Sequence, residues 1–392
     1  MSPKTKSDPF GWMQTELDER KETHLFRQRK VRSGPQTTTI SLDDQALINF
    51  ASNDYLGLAH HPQVLEAARL ALETESWGSG ASPLVTGYQQ EVAALEQDLA
   101  EWEHTEAALV FPSGFAANLG IIPALVRAGD LVLGDHLNHA SLIDGCRLSG
   151  ARFRTYRHAD LSRLEHLLKR ESGFRRRLIV TDSLFSMDGD CAPLQEMADL
   201  AERYDAMLLV DEAHATGVFG EHGSGLADQP DLRGHIPFRV GTLSKGLGCV
   251  GGFVVGPQTC IDWLVNNARP YIYSTAFPAA NAAAARAAVK IARLEISRRE
   301  RLLNLAESVR NRLTEQGWEI GPSTTQIIPI MVGDAERAVS LSESLQEAGF
   351  WVPAIRPPTV PPNTARLRLS LTSEHTKEMI DGLLDALGTP PA

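Results

Sequence analysis

Short apolar runs recur through the middle of the chain at residues 107–111, 131–133, 178–181, 207–211, 239–243 and 253–255. Between several of them lie stretches with helical spacing of apolar residues, at 92–103, 161–169 and 194–204. Strands that are apolar without alternation are buried on both faces, and strands interleaved with helices form mostly parallel sheets. The pattern therefore predicts an α/β fold with a helix-covered sheet. Ahead of it, residues 10–30 read as a helix followed by a polar, Gly-Pro and Thr-rich turn region. Behind it, an Ala-rich and then charged stretch, 279–316, reads as one long helix with Gly317 as its stop. The remainder reads as a compact α+β unit, with strands at 327–332 and 366–371 and helices at 335–348 and 375–387. The expected division is 1–52 for an N-terminal helix and arm, 53–280 for a large α/β domain and 281–392 for a smaller C-terminal domain.

The 392 residues carry a formal net charge of −11, which argues against a nucleic-acid binder. Cys146, Cys191, Cys249 and Cys260 form no CxxC pair and stand beside no clustered histidines, so neither a metal site nor a disulfide framework is expected. Scattered thiols fit a reducing compartment. Residues 1–10 are polar and lack the apolar core of a signal peptide, and no apolar run is long enough to span a bilayer. A cytoplasmic protein with no membrane partner is the expectation.

In open α/β sheets, ligands sit beyond the carboxyl ends of the strands. Asp211 ends one such run, with His214 three residues on; Lys245 follows another, three residues after Thr242; Ser186 lies in the loop after a third. Singly, each has an ordinary explanation as a cap, a turn residue or a solvated charge. Together they meet one demand. A pyridine cofactor acting as an electron sink needs a carboxylate on its ring nitrogen, an amine to anchor it, and donors for its phenolic oxygen and phosphate. Asp211, Lys245, His214 with Ser186, and Thr242 supply these. Upstream, the segment around Gly114 and Phe115 follows a strand and opens a helix, which suits a phosphate. His139, in a loop after another strand, could lie flat on an aromatic ring or be an ordinary hydrogen-bonded loop histidine. Gly246, Gly248 and Gly251 spell a dinucleotide fingerprint, but a short strand, not a helix, is expected to follow.

These residues sit in motifs that resemble the α-oxoamine synthases, pyridoxal-phosphate (PLP) enzymes that condense an amino acid with an acyl-CoA. The likeness runs from about residue 27 to the C-terminal helix: NDYLGL at 53–58, SGFAAN at 113–118, LNHAS at 137–141, FSMDGD at 185–190, VDEAHATG at 210–217 and GTLSKGLG at 241–248. The resemblance implies the PLP-dependent transferase fold type I, with a mostly parallel seven-stranded sheet between helices and a smaller α+β C-terminal domain. It implies Lys245 as the Schiff-base lysine and proton-transfer base, Asp211 on the ring nitrogen and His139 stacked on the ring. His214 and Ser186 fall to the phenolic oxygen, and Thr242 with Gly114 and Phe115 to the phosphate. Asn53 and Arg356 are implied for the amino-acid carboxylate, and Arg27 for the acyl-CoA. Active sites shared across a homodimer are implied too, with Ser274 and Thr275 reaching the neighbour's phosphate. The segments VPAIRPPTVP at 352–361 and TARLRLSLT at 364–372 are most similar to family members of biotin synthesis, which implies L-alanine and a pimeloyl thioester as substrates. Other members, such as glycine C-acetyltransferase and serine palmitoyltransferase, share the cofactor motifs. Asp182, Val92 and Pro83 depart from residues often found in the family (Glu, His and Arg).

Overall fold

Along the strand at residues 207–211, Leu208 and Val210 pack into one hydrophobic cluster while Leu209 packs into another on the opposite face. Residues 131–133 divide the same way, Leu131 and Leu133 against Val132. A strand with two buried faces has no polar side to show, which is why these runs do not alternate. The computed structural model describes residues 8–390; most of the polar segment 1–10 and the last two residues lie outside the described residues.

In chain order, β1 (Arg32–Ser33), β2 (Thr39–Leu42) and β3 (Gln45–Asn49) precede the main sheet. That sheet comprises β4 (Ala107–Phe111), β5 (Leu131–Asp135), β6 (Arg152–Tyr156), β7 (Arg177–Asp182), β8 (Met207–Asp211), β9 (Phe238–Thr242) and β10 (Gly252–Gly256). Its order is β4-β10-β9-β8-β7-β5-β6, seven strands as expected. β10 runs antiparallel to both neighbours, and the remaining pairs are parallel. Because β10 follows the Gly246–Gly251 turn directly, no helix opens there and the dinucleotide reading is excluded. Helices Gly114–Leu125 and Gln258–Asn267 cover one face; Leu161–Arg170 and Leu194–Arg203 cover the other.

The C-terminal part adds β11 (Ile327–Gly333), β12 (Phe350–Trp351), β13 (Ala354–Ile355) and β14 (Ala365–Ser370). β11, β14 and β13 form a three-stranded sheet, while β12 pairs in parallel with β3 and so ties residues 350–351 to the N-terminal arm.

Several elements differ from the sequence reading. The first helix, Gly11–Glu22, stops well short of residue 30, because His24 adopts a left-handed backbone (φ 57°) and Leu25 N–H returns to the Arg20 carbonyl. The stretch 279–316 is two helices, Ala279–Leu294 and Ile296–Glu315, broken at Glu295. The Glu295 carboxylate instead receives Arg298 at 2.6 Å, and Arg298 also bonds Glu374, so a tertiary tether overrides local helix propensity. The stop at Gly317 is as expected: its φ is 90°, and Trp318 N–H bonds the Leu313 carbonyl. The edge strand β6, the small strands β1–β3 and the two-residue strands β12 and β13 were not anticipated.

Candidate active site

The reactive residues gather at the carboxyl ends of the parallel strands, where Asp182 ends β7, Asp211 ends β8 and Thr242 ends β9. Lys245 Nζ lies 2.8 Å from His214 Nε2. Burial pushes the Lys245 amine down to about 8, against the pull of Asp211 and Asp182, which brings a neutral amine within reach of physiological pH. Burial, then the charges of Lys245 and Arg368, hold His214 well below its ordinary value, so it is a neutral imidazole. Its Nδ1 is 2.6 Å from the Tyr55 hydroxyl, which in turn is 3.2 Å from Asn53 Oδ1.

Asp211 is buried and accepts from Ala213 N–H at 2.8 Å and from Asn118 Nδ2 at 2.6 Å. His139 caps the helix Ala140–Leu148, and its backbone N–H donates to Asp182 Oδ2 at 2.7 Å. Burial, and then the neighbouring Asp211, raise the Asp182 carboxyl well above the usual range.

Across the sheet, Ser113 caps the helix Gly114–Leu125 by accepting from Ala116 N–H at 3.1 Å. Among the described residues the Gly114 and Phe115 N–H groups have no protein partner, which leaves the free donors of a helix N-terminus. A Cβ on Gly252 would sit 2.3 Å from Gly114 N, and one on Gly114 would sit 3.6 Å from Thr242 Oγ1. Gly252 must therefore be a glycine for the chain to pass this close to the helix start, whereas a Cβ on Gly114 would meet Thr242 at ordinary contact distance. A carboxylate, a lowered lysine amine, an imidazole and this helix start form a donor set that fits PLP.

Asn53 and Ser186 are brought together, but by a residue the sequence reading did not single out. Arg368 Nε donates to the Ser186 carbonyl at 2.6 Å and Nη1 to Asn53 Oδ1 at 3.1 Å. Arg356 lies elsewhere: it bonds the His24 and Phe26 carbonyls and faces Arg27, whose charge adds to burial in lowering the Arg356 pKa. Arg27 donates to Thr359 Oγ1 at 3.2 Å. Ser274 and Thr275 follow exposed Tyr273 and make no side-chain hydrogen bond among the described residues. Arg366 and Arg368, two residues apart in β14, share a face and are both buried. Arginines at alternate positions of an apolar strand were the signal available in the sequence, since buried charges need partners. His104 and His222 also meet in space, at 3.3 Å, but Arg233 already donates to their neighbour Asp228 at 2.9 Å.

His158 links two of the site's loops, 3.1 Å from Asp135 Oδ2 and 2.7 Å from Asp190 Oδ2. Burial alone lowers its pKa, but the two carboxylates outweigh that and raise it to about 10. A histidine raised on folding contributes stability that is complete below about 6.5 and is lost as pH rises through about 10. His158→Asn is therefore expected to lower the melting temperature by a few degrees at pH 6, with the gap closing above pH 10. Melting curves across that range check it, and a gap independent of pH contradicts it.

The chain matches the family described as aminotransferase class I and II over residues 45–387. It is 48% identical to the 8-amino-7-oxononanoate synthase of Alkalilimnicola ehrlichii, with 95% of each chain covered. It is also 48% identical to the enzyme of that name from Chromobacterium violaceum, with 96% of each covered. Among solved structures it is similar to serine palmitoyltransferase from S. paucimobilis with bound PLP–myriocin, with a TM-score of 0.92, 31% identity and 98% of each chain covered. With the sheet order, the strand-end residues and this match in agreement, the chain belongs to the aminotransferase class I and II family.

Proposed function

We propose that the chain catalyses the decarboxylating condensation of L-alanine with a pimeloyl thioester, giving 8-amino-7-oxononanoate for biotin synthesis. The observation that carries this reading is 48% identity, over nearly the whole chain, to synthases of that name. The serine palmitoyltransferase likeness is weaker, at 31%. PLP, when bound, supplies the electron sink for the negative charge that develops at the amino-acid Cα. Lys245, Asp211, Thr242 and the Gly114–Phe115 amides would hold it, with His139 at the ring and His214 and Ser186 near its phenolic oxygen.

Within that frame the protein's own groups divide the work. Lys245 Nζ, 2.8 Å from a neutral His214, takes the Cα proton, and its lowered pKa of about 8 suits a base at physiological pH. Arg368 and Asn53 grip the alanine carboxylate, because Arg368 is buried and bonded to Asn53 beside the Ser186 loop. Arg356 and Arg27, two like charges near each other and bonded to the N-terminal arm and the 357–359 segment, take the acyl side. Residues 53–280 hold the cofactor, 281–392 form the second domain and 1–52 the arm.

Removing a buried charge-assisted grip costs about two orders of magnitude in affinity. Arg368→Ala should therefore raise the alanine KM by roughly 10²-fold, while Arg356→Ala acts mainly on the thioester KM. Steady-state kinetics with each substrate varied separates the two; the reverse pattern returns the carboxylate to Arg356. Purified protein should release CoA from pimeloyl-CoA only when alanine is present. A strong preference for glycine with acetyl-CoA, or for serine with palmitoyl-CoA, points to another α-oxoamine synthase.

The same reading makes the enzyme a homodimer with shared sites. It is supported by exposed Leu84, Val85 and Tyr273 on the neighbouring segments 79–88 and 271–276, joined by the Ala276–Ala81 backbone bond. Ser274 and Thr275 on that face would serve the partner's phosphate. Sedimentation checks the state.

A further inference from the structure

We infer that Ser141 and Asn118 are positioning residues that fix His139 as a neutral imidazole protonated on Nε2 alone, a hydrogen-bond donor to a substrate oxygen. The purpose of that donor rests on the condensation proposed above; the protonation pattern does not.

His139 Nδ1 faces two groups of Ser141, the backbone N–H at 3.3 Å and the hydroxyl at 2.7 Å. A backbone N–H can only donate, so Nδ1 must present its lone pair. The hydroxyl must then be oriented to donate as well. Asn118 Nδ2 arranges this by donating to Ser141 Oγ at 2.9 Å, which fills an acceptor site and leaves the hydroxyl proton for His139. The Asn118 amide is itself oriented by Asp211, whose carboxylate receives the same Nδ2 at 2.6 Å. Asp211, Asn118, Ser141 and His139 thus form one chain in which the Asn118 amide protons and the Ser141 hydroxyl proton each meet an acceptor. Asn118 and Ser141 are buried, so water does not compete for these bonds.

A proton on Nδ1 would point at the Ser141 N–H, so the ring's single proton belongs on Nε2. Burial works in the same direction by lowering the His139 pKa, which disfavours the imidazolium. Two consequences follow for the reaction. His139 has no lone pair to offer at Nε2, so removal of the Cα proton falls to Lys245. Its Nε2–H is available to a carboxylate or thioester carbonyl oxygen, where charge develops. Because Asn118 bonds both Asp211 and Ser141, the group on the ring nitrogen and the imidazole over the ring share one anchor.

The test is histidine-selective ¹⁵N labelling of the full-length protein as purified, without substrates, with His139 assigned through His139→Gln. The expected result is the Nε2–H tautomer from pH 6 to 8. In Ser141→Ala the His139 titration midpoint should move upward and kcat should fall about tenfold, with Ser141→Thr recovering most of the loss. An Nδ1–H signal in the wild type, or a midpoint unmoved in Ser141→Ala, overturns the assignment. Should Ser141→Ala fail to fold, the wild-type signal alone decides. Absence of condensation activity would sink the proposed function while leaving the tautomer reading intact.

Discussion

Lys245→Ala is expected to lower turnover by at least about three orders of magnitude, since it removes both the covalent anchor and the base. The structure predicts that the variant still folds. Lys245 is a half-buried side chain in the turn after β9, and among the described residues its amine has one hydrogen-bond partner, His214 at 2.8 Å. Truncation leaves His214 neutral and relieved of a neighbouring charge, since Lys245 is one of the groups that lower its pKa. The purified variant should lack the borohydride-sensitive visible band of lysine-bound cofactor while keeping a wild-type melting temperature to within a few degrees. A retained, bleachable band would assign the anchor to another lysine. In the wild type, turnover should climb with pH through about 8, because only the neutral amine accepts a proton.

Asp211→Asn is expected to cost roughly 10²–10³-fold in kcat, by removing the charge that keeps the ring nitrogen protonated. It also disturbs the donor chain. Asp211 accepts from Ala213 N–H on one oxygen and from Asn118 Nδ2 on the other, so an amide there must turn its NH₂ toward one of two donors. One bond is lost either way. The expected signature is therefore a falling kcat together with weaker cofactor retention, measured by dialysis. An Asp211→Asn enzyme within about tenfold of wild type would remove Asp211 from the mechanism.

Much of this was legible in the sequence, and for physical reasons. Strands buried on both faces leave apolar runs that can be counted, and β4 and β8 were delimited to the residue. Strand-end residues follow from such strands, which is why Asp211, Lys245 and Thr242 could be placed together before any coordinates. What escaped was set by tertiary contact. β6, with the sequence RFRTY, lies at the sheet edge and needs only one buried face, so its arginines masked it. His24 ends a helix in a conformation usually left to glycine, which no local signal announces. Arg356 and Arg368 stand twelve residues apart in one motif-rich segment, and only the pairing of β14 with β13 and β11 decides which reaches Asn53. The chain from Asp211 through Asn118 to Ser141 joins residues far apart in sequence and was invisible for that reason.

A condensation that expels the amino-acid carboxylate as carbon dioxide is followed with L-[1-¹³C]alanine and pimeloyl-CoA. Labelled carbon dioxide and free CoA are followed together on the purified enzyme. They should appear in equal amounts, with the alanine Cα retained in the new ketone. Release of CoA without labelled carbon dioxide, or equal release with no amino acid present, would contradict it.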